Sequence, residues 1–265
     1  MQAALARDPK NAAVKSDLIR VDAELSGVDA GLEKARTFAK DDPDNPVYDL
    51  VSGELYEKAG RRSDATALLE KAVAARPADN AVIAALAGLY ARSGDRGKAE
   101  ATLTTRLQTD PKDTQIRSAL ASLYLQEKKY DDAIAQYARV IAERPTDPAA
   151  LNNLAWLYQQ KGDLAQARGL AERAVAAAAR TASIDDTLGW ILLAQGETTK
   201  AVTYLSTASI SAPNNPEIQY HLAVALNRVG RTADAQAMLE TLLGSGAAFS
   251  EKAEAEKLLQ QLKHG

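Results

Sequence analysis

Leu120, Leu123 and Tyr124 are followed by Ala133, Ile134, Tyr137 and Val140, apolar positions separated by helical rather than alternating steps. That spacing predicts two amphipathic helices, each with one face to bury, joined by the polar stretch QEKK. The pattern then returns. LNNLAWLYQQKGD at 151–163 is echoed by TLGWILLAQGE at 187–197, with Leu154 over Leu188, Ala155 over Gly189, Trp156 over Trp190 and Gly162 over Gly196. Each pair is 34 residues apart.

The prolines keep the same interval. Pro9, Pro43, Pro77, Pro111, Pro145 and Pro213 share one phase, interrupted only by Ala179, and Pro46, Pro148 and Pro216 share a second. Tyr56, Tyr90, Tyr124 and Tyr158 form another column, continued by Leu192 and Leu226. Ala65, Ala99, Ala133, Ala167, Ala201 and Ala235 form a third, and Gly60, Gly94, Gly162, Gly196 and Gly230 a fourth, with Lys128 as its exception. A period of this length marks an array of small supersecondary units.

The columns have physical roles. The glycine between two helical runs supplies a left-handed turn. The proline closes the second run, and the Asp or Asn after it caps the next. A small alanine belongs where two helices cross closely. One such helix–turn–helix cannot bury its own apolar face, but stacked neighbours can. The units read as 12–45, 46–79, 80–113, 114–147, 148–181, 182–215 and 216–249. Residues 1–11 read as the tail of a preceding repeat helix, so the chain begins mid-repeat, as the C-terminal piece of a longer array. Residues 250–265 read as an amphipathic capping helix with a wet outer face. The first unit is degenerate, with Gly31 at the alanine position and Asp22 at the aromatic one. Around Ala179 the segment AVAAAARTASIDD stays helix-forming: the favoured reading is a tolerated substitution that changes little, and the other is a longer second helix with a local change of superhelical pitch.

NNLAWLYQQKGDLAQARGLAERA and SALASLYLQEKKYDDAIAQYARVIAERP closely resemble the tetratricopeptide repeat, and the resemblance covers nearly the whole chain. It implies an all-α fold, a right-handed α-solenoid of stacked helix–turn–helix units, acting as a non-catalytic scaffold for protein partners. The pentatricopeptide repeat, an RNA binder with a usually basic surface, is less similar. The phrases LNNLAWLY and DTLGWILLAQGE look most like those of bacterial tetratricopeptide proteins of exopolysaccharide export, such as the repeat lipoproteins of the PEP-CTERM/exosortase system. That likeness implies a periplasmic or cell-envelope setting rather than a cytoplasmic one.

In the family, the first helices line a concave groove. Carried over, that places Ser118 and Ser122 of the fourth unit, Asn152, Trp156 and Gln159 of the fifth, Asp186 and Trp190 of the sixth, and Tyr220 and Asn227 of the seventh on one face. Both tryptophans thus share one register in adjacent units. They form either an aromatic ladder flanked by amides, gripping a peptide or helix, or wedges between neighbouring first helices. Stacking on Trp with hydrogen bonds to amides would also suit a polysaccharide. The Lys–Asn–Arg clamp with which related domains hold a carboxylate terminus is missing: Asn153 has no matching Lys, and Trp156 stands where Asn is usual.

Composition narrows the remaining classes. Lys and Arg total 32 against 35 Asp and Glu, intermixed, which argues against nucleic acid as a partner. The absence of Cys removes disulfides and thiolate chemistry, and two His, His221 and His264, leave no histidine-rich metal site or cofactor set. His221 reads as a half-buried helical polar group, one residue off the stripe. Asp131–Asp132 and Asp185–Asp186 are sequence neighbours, so they diverge on a helix and read as charges favourable to its N-terminus. No apolar run is long enough to span a membrane, and no phosphate loop or nucleophile motif occurs.

Overall fold

The computed structural model describes residues 8, 10–178 and 181–264. Among them the regular structure is helical throughout, in fifteen helices: α1 (Ala12–Ser26), α2 (Val28–Asp41), α3 (Val47–Lys58), α4 (Arg62–Ala75), α5 (Asn80–Arg92), α6 (Arg96–Thr109), α7 (Thr114–Gln126), α8 (Tyr130–Glu143), α9 (Pro148–Gln160), α10 (Leu164–Ala177), α11 (Ala182–Ala194), α12 (Thr198–Ser211), α13 (Pro216–Arg228), α14 (Thr232–Gly244) and α15 (Lys252–His264). The chain divides into two compact units, residues 1–136 and 137–265.

In the first unit α1 packs on α2, α3 on α4 and α5 on α6, and each second helix packs on the first helix that follows. The first helices α1, α3, α5 and α7 also touch in sequence. The second unit repeats the scheme with α9 on α10, α11 on α12, α13 on α14 and α14 on α15, while α9, α11 and α13 touch in sequence.

Every alanine of the Ala column is fully enclosed: Ala65, Ala99, Ala133, Ala167, Ala201 and Ala235 are all 0% exposed, which leaves a larger side chain nowhere to go. Variation at a second crossing is compensated. Ala155 and Ala171 are both buried in one pair, whereas the next pair has Gly189 and Leu205 at those positions. A Cβ on Gly189 would lie 2.7 Å from Leu205 Cγ, so the larger leucine requires the glycine. In the first repeat, a Cβ on Gly31 would meet Ala23 Cβ at 2.7 Å, which explains glycine at an alanine position. Asp22, at the aromatic position, pairs with Lys34 at 2.6 Å.

The turns follow their residues. Gly60, Gly94, Gly162, Gly196 and Gly230 all have positive φ, and Lys128, the exception in that column, is forced to the same region at φ 59. Asp79, Asp113, Asp147 and Asn215 cap α5, α7, α9 and α13 by accepting from backbone amides of the first turn. Pro148 and Pro216 begin α9 and α13, where no backbone donor is needed. Tyr90 donates to Glu70 and Tyr124 to Glu100 at 2.7 Å. Burial and the Glu70 carboxylate push the Tyr90 phenol up to about 12.

As far as α10 is described, the substitution at Ala179 changes little and the helix is not extended. The helix closes at Ala177 and Ala178 is already extended, while residues 179 and 180 lie outside the described residues. Most of the tail at 1–11 also lies outside them. Four residues link α4 to α5, α6 to α7, α8 to α9, α10 to α11 and α12 to α13, but seven link α14 to α15.

Candidate functional site

The first-helix face of the second unit is built from α9, α11 and α13. Helical spacing puts Asn152, Trp156 and Gln159 along one side of α9, Asp186 and Trp190 along α11, and Tyr220 and Asn227 along α13. All are half-buried except Tyr220, which is buried. In the first unit Ser118 and Ser122 occupy the same register on α7 and are half-buried.

The centre of the face is aromatic. Trp190 stacks on His221 with ring centroids 4.1 Å apart and planes 17° from parallel. Tyr220 tilts against Trp190 at 6.3 Å and against Phe249 at 6.2 Å. His221 Nδ1 lies 2.9 Å from Asp186 Oδ1, which ties α13 to α11, and Nε2 lies 4.0 Å from Glu251 Oε1. Arg228 adds a second tie, donating to the Leu193 carbonyl at 2.9 Å. Beneath the rings, Tyr220, Ala223, Leu239, Leu242 and Ala255 form one apolar cluster that Trp190 and Phe249 flank. Trp190 is thus both wedge and partly open surface. Burial raises the pKa of the Tyr220 phenol, and the carboxylates of Glu254 and Glu251 raise it further.

On α9 the face is polar on both sides of Trp156. Asn152 Oδ1 and Gln159 Oε1 are enclosed and accept no hydrogen bond. A buried acceptor without a donor is unusual, and it is met by rotation of the amide or by an incoming N–H or O–H. Next to Asp186, a cleft of about 450 Å³ opens between the N-terminal halves of α11 and α13, lined by Ser183, Thr187, Asn215 and Glu217 among others. A larger cleft, about 730 Å³, lies between α12 and α14 over the other side of α13, floored by Leu222, Leu226, Met238 and Leu242.

The polar groups at the centre of the face are engaged with one another. His221 has one nitrogen on Asp186 and a ring face on Trp190, and its other nitrogen points toward a carboxylate. Among the described residues no three His, Asp or Glu side chains converge as metal ligands, and no helix is long and apolar enough to cross a membrane. Sequence reasoning placed His221 off the stripe and did not include Phe249. The available signal for His221 was an acid, Asp186, 35 residues earlier.

Comparison with known proteins gives the same fold. No curated protein sequence matches the chain. Among solved structures, the chain is similar to one of the APC/C hetero-tetramer Cut9–Hcn1, with 18% identity over 97% of this chain and a TM-score of 0.72, although it spans only 50% of that chain. It is similar to a tetratricopeptide repeat protein from Parabacteroides merdae, with 21% identity, 85% of this chain and 89% of that one covered, and a TM-score of 0.59. It is also similar to Pseudomonas aeruginosa pilF, with 18% identity, 88% and 98% covered, and a TM-score of 0.64. At these identities the likeness is one of fold. The family model described as the tetratricopeptide repeat matches residues 56–123, 124–191 and 192–262 in succession. With that unbroken match on a stack of helix pairs, the chain belongs to the tetratricopeptide repeat family.

Proposed function

We propose that this protein is a non-catalytic scaffold that holds a protein or peptide partner on the first-helix face of residues 137–265, along α9, α11 and α13. The supporting observation is the pairing, on one face, of half-open indoles with enclosed amide acceptors: Trp156 stands between the unsatisfied oxygens of Asn152 and Gln159. Indoles contribute large contact area at low entropy cost, and a peptide backbone supplies the missing N–H donors once the amides rotate toward the open face. The scaffold role is the one typical of the fold.

A polysaccharide is the second reading, since sugars also stack on indoles and donate hydroxyls to amides. It is the weaker one because His221 already covers a face of Trp190. Placement in a bacterial cell envelope, within an exopolysaccharide export system, belongs to the same proposal and rests on the phrases LNNLAWLY and DTLGWILLAQGE.

The test is capture from a lysate of the source organism with this chain and with a Trp156→Ala/Trp190→Ala variant verified as folded by circular dichroism. The expected result is a protein retained by the native chain and lost with the variant, and not eluted by the organism's soluble polysaccharide. Equal capture by both chains rejects the face, and elution by the polysaccharide supports the second reading instead.

A further inference from the structure

We propose that the segment Ser245–Glu251 is a displaceable strap, filling the end of this face with the chain's own side chains, and that the partner presents the same pair: an aromatic residue with a carboxylate two positions later. The inference rests on the reading of α9, α11 and α13 as the binding face.

The strap is three residues longer than the connection that precedes α13, which needs only Ala212–Asn215. The extra length places side chains on the face. Gly246 turns the chain at φ +72, Phe249 then reaches the Tyr220 ring at 6.2 Å, and Glu251 Oε1 comes within 4.0 Å of His221 Nε2. An apolar ring against the aromatic cluster and a carboxylate toward an imidazole are the contacts expected of a bound peptide, here made in cis.

The strap is lightly held. Ala247 N donates to Ser245 Oγ at 3.2 Å, and among the described residues no backbone amide from Ala248 to Ser250 donates elsewhere in the chain. Its ends are tied by backbone, Ser245 N donating to the Thr241 carbonyl at 3.1 Å and Ala255 N to the Glu251 carbonyl at 2.9 Å, and between them the attachment to the face is through the two side chains. The helix beyond it is anchored separately: Ala255 is fully buried, Leu258, Leu259 and Leu262 join the apolar cluster, and Lys263 pairs with Glu240 at 3.0 Å. Lifting the strap leaves α15 in place. A tethered segment competes at high effective concentration, so weak contacts suffice to hold back a free peptide of the same chemistry.

The experiment uses a fluorescein-labelled peptide copying residues 246–252, GAAFSEK, and a permuted control, GAESAFK. Fluorescence anisotropy reads both against the native chain and a Phe249→Ala/Glu251→Gln variant. The variant is expected to bind GAAFSEK at least about tenfold more tightly than the native chain, and to bind the control at least about tenfold more weakly. Equal affinity of the two chains for GAAFSEK overturns the strap. Loss of discrimination against the control overturns the partner chemistry, and absence of binding to the variant overturns both.

If the double variant does not fold, a chain with Gly-Ser-Gly-Ser inserted after Gly246 replaces it. Dilution of the tethered strap is then expected to raise affinity for GAAFSEK in the same direction, and an unchanged affinity overturns the strap. Tryptophan-dependent capture from lysate is read separately. A failed peptide experiment beside successful capture removes only the strap, whereas failed capture removes the face on which the strap rests.

Discussion

The two units carry the same framework and differ in the side chains on their first-helix faces. In residues 1–136 the face positions of α5 and α7 are the small residues Ala84, Gly88, Ser118 and Ser122, of which Ala84, Gly88 and Ser122 line a cleft of about 160 Å³. Beside it Arg92 reaches back to Glu57 in a two-pronged pair at 2.8 and 2.7 Å, joining α5 to α3 by charge. In residues 137–265 the same positions hold Asn152 and Trp156, Asp186 and Trp190, Tyr220 and Val224, and neighbouring first helices are joined by a stacked Trp–His pair and a His–Asp bond. The enclosed alanines are alike in both. Packing thus constrains the crossing positions and leaves the face positions free to differ.

The largest expected effect tests whether Trp190 serves the framework as well as the face. Trp190→Ala should destabilise the second unit by about 3 kcal/mol, because it empties a ring packed on His221 and Tyr220. Ser122→Ala at the same register of the first unit should cost less than about 1 kcal/mol. Urea unfolding followed by hydrogen exchange in α13 and α7 measures both, and equal costs would erase the contrast.

Gly189→Ala comes next, at about 1–2 kcal/mol. The 2.7 Å approach to Leu205 Cγ outweighs the roughly 1 kcal/mol that alanine adds to helix formation. Combined with Leu205→Ala, the pair should cost about 1 kcal/mol less than the sum of the single changes, read from a double-mutant cycle. Simple additivity would mean that the crossing adjusts without compensation.

Lys128→Gly should raise the stability of the first unit by about 1 kcal/mol, because φ 59 is left-handed backbone that a side chain resists. A lower melting temperature would show that the lysine side chain contributes more than the strain.

The smallest effect concerns the charged joint. Hydrogen bonds from Arg92 hold the Glu57 carboxyl below the ordinary glutamate range. The stabilisation from this pair is present in full above the ordinary value and disappears as pH falls through the lowered one. Arg92→Ala should therefore cost about 0.5 kcal/mol at pH near 7 in low salt and nothing in strong acid. A pH-independent difference would place the contribution of Arg92 in its packing instead.

The framework was legible because each of its elements depends on the repeat interval. The Ala column, the glycine turns and the Asp or Asn caps each recur every 34 residues, and buried crossings tolerate few alternatives. The polar joints between first helices were hidden because many fall one residue off that interval. Asn80 to Gln115, Arg92 to Glu57 and His221 to Asp186 all span 35 residues. Columns drawn at 34 never align such partners, so His221 stood alone. Phe249 was invisible for another reason: it sits in an irregular connection, where no periodicity says which way a side chain faces.

The Gly189–Leu205 crossing bears on how such a chain can change over generations. Neighbouring repeats invite recombination, and a crossover that moved only Leu205 into the preceding repeat would set it against the Cβ of Ala155 rather than against a glycine. A crossover that carried both helices of the pair would move the glycine along with its leucine. Exchange between these two repeats is therefore a two-site event, and inheritance should favour transfer of whole helix pairs over the drift of single residues.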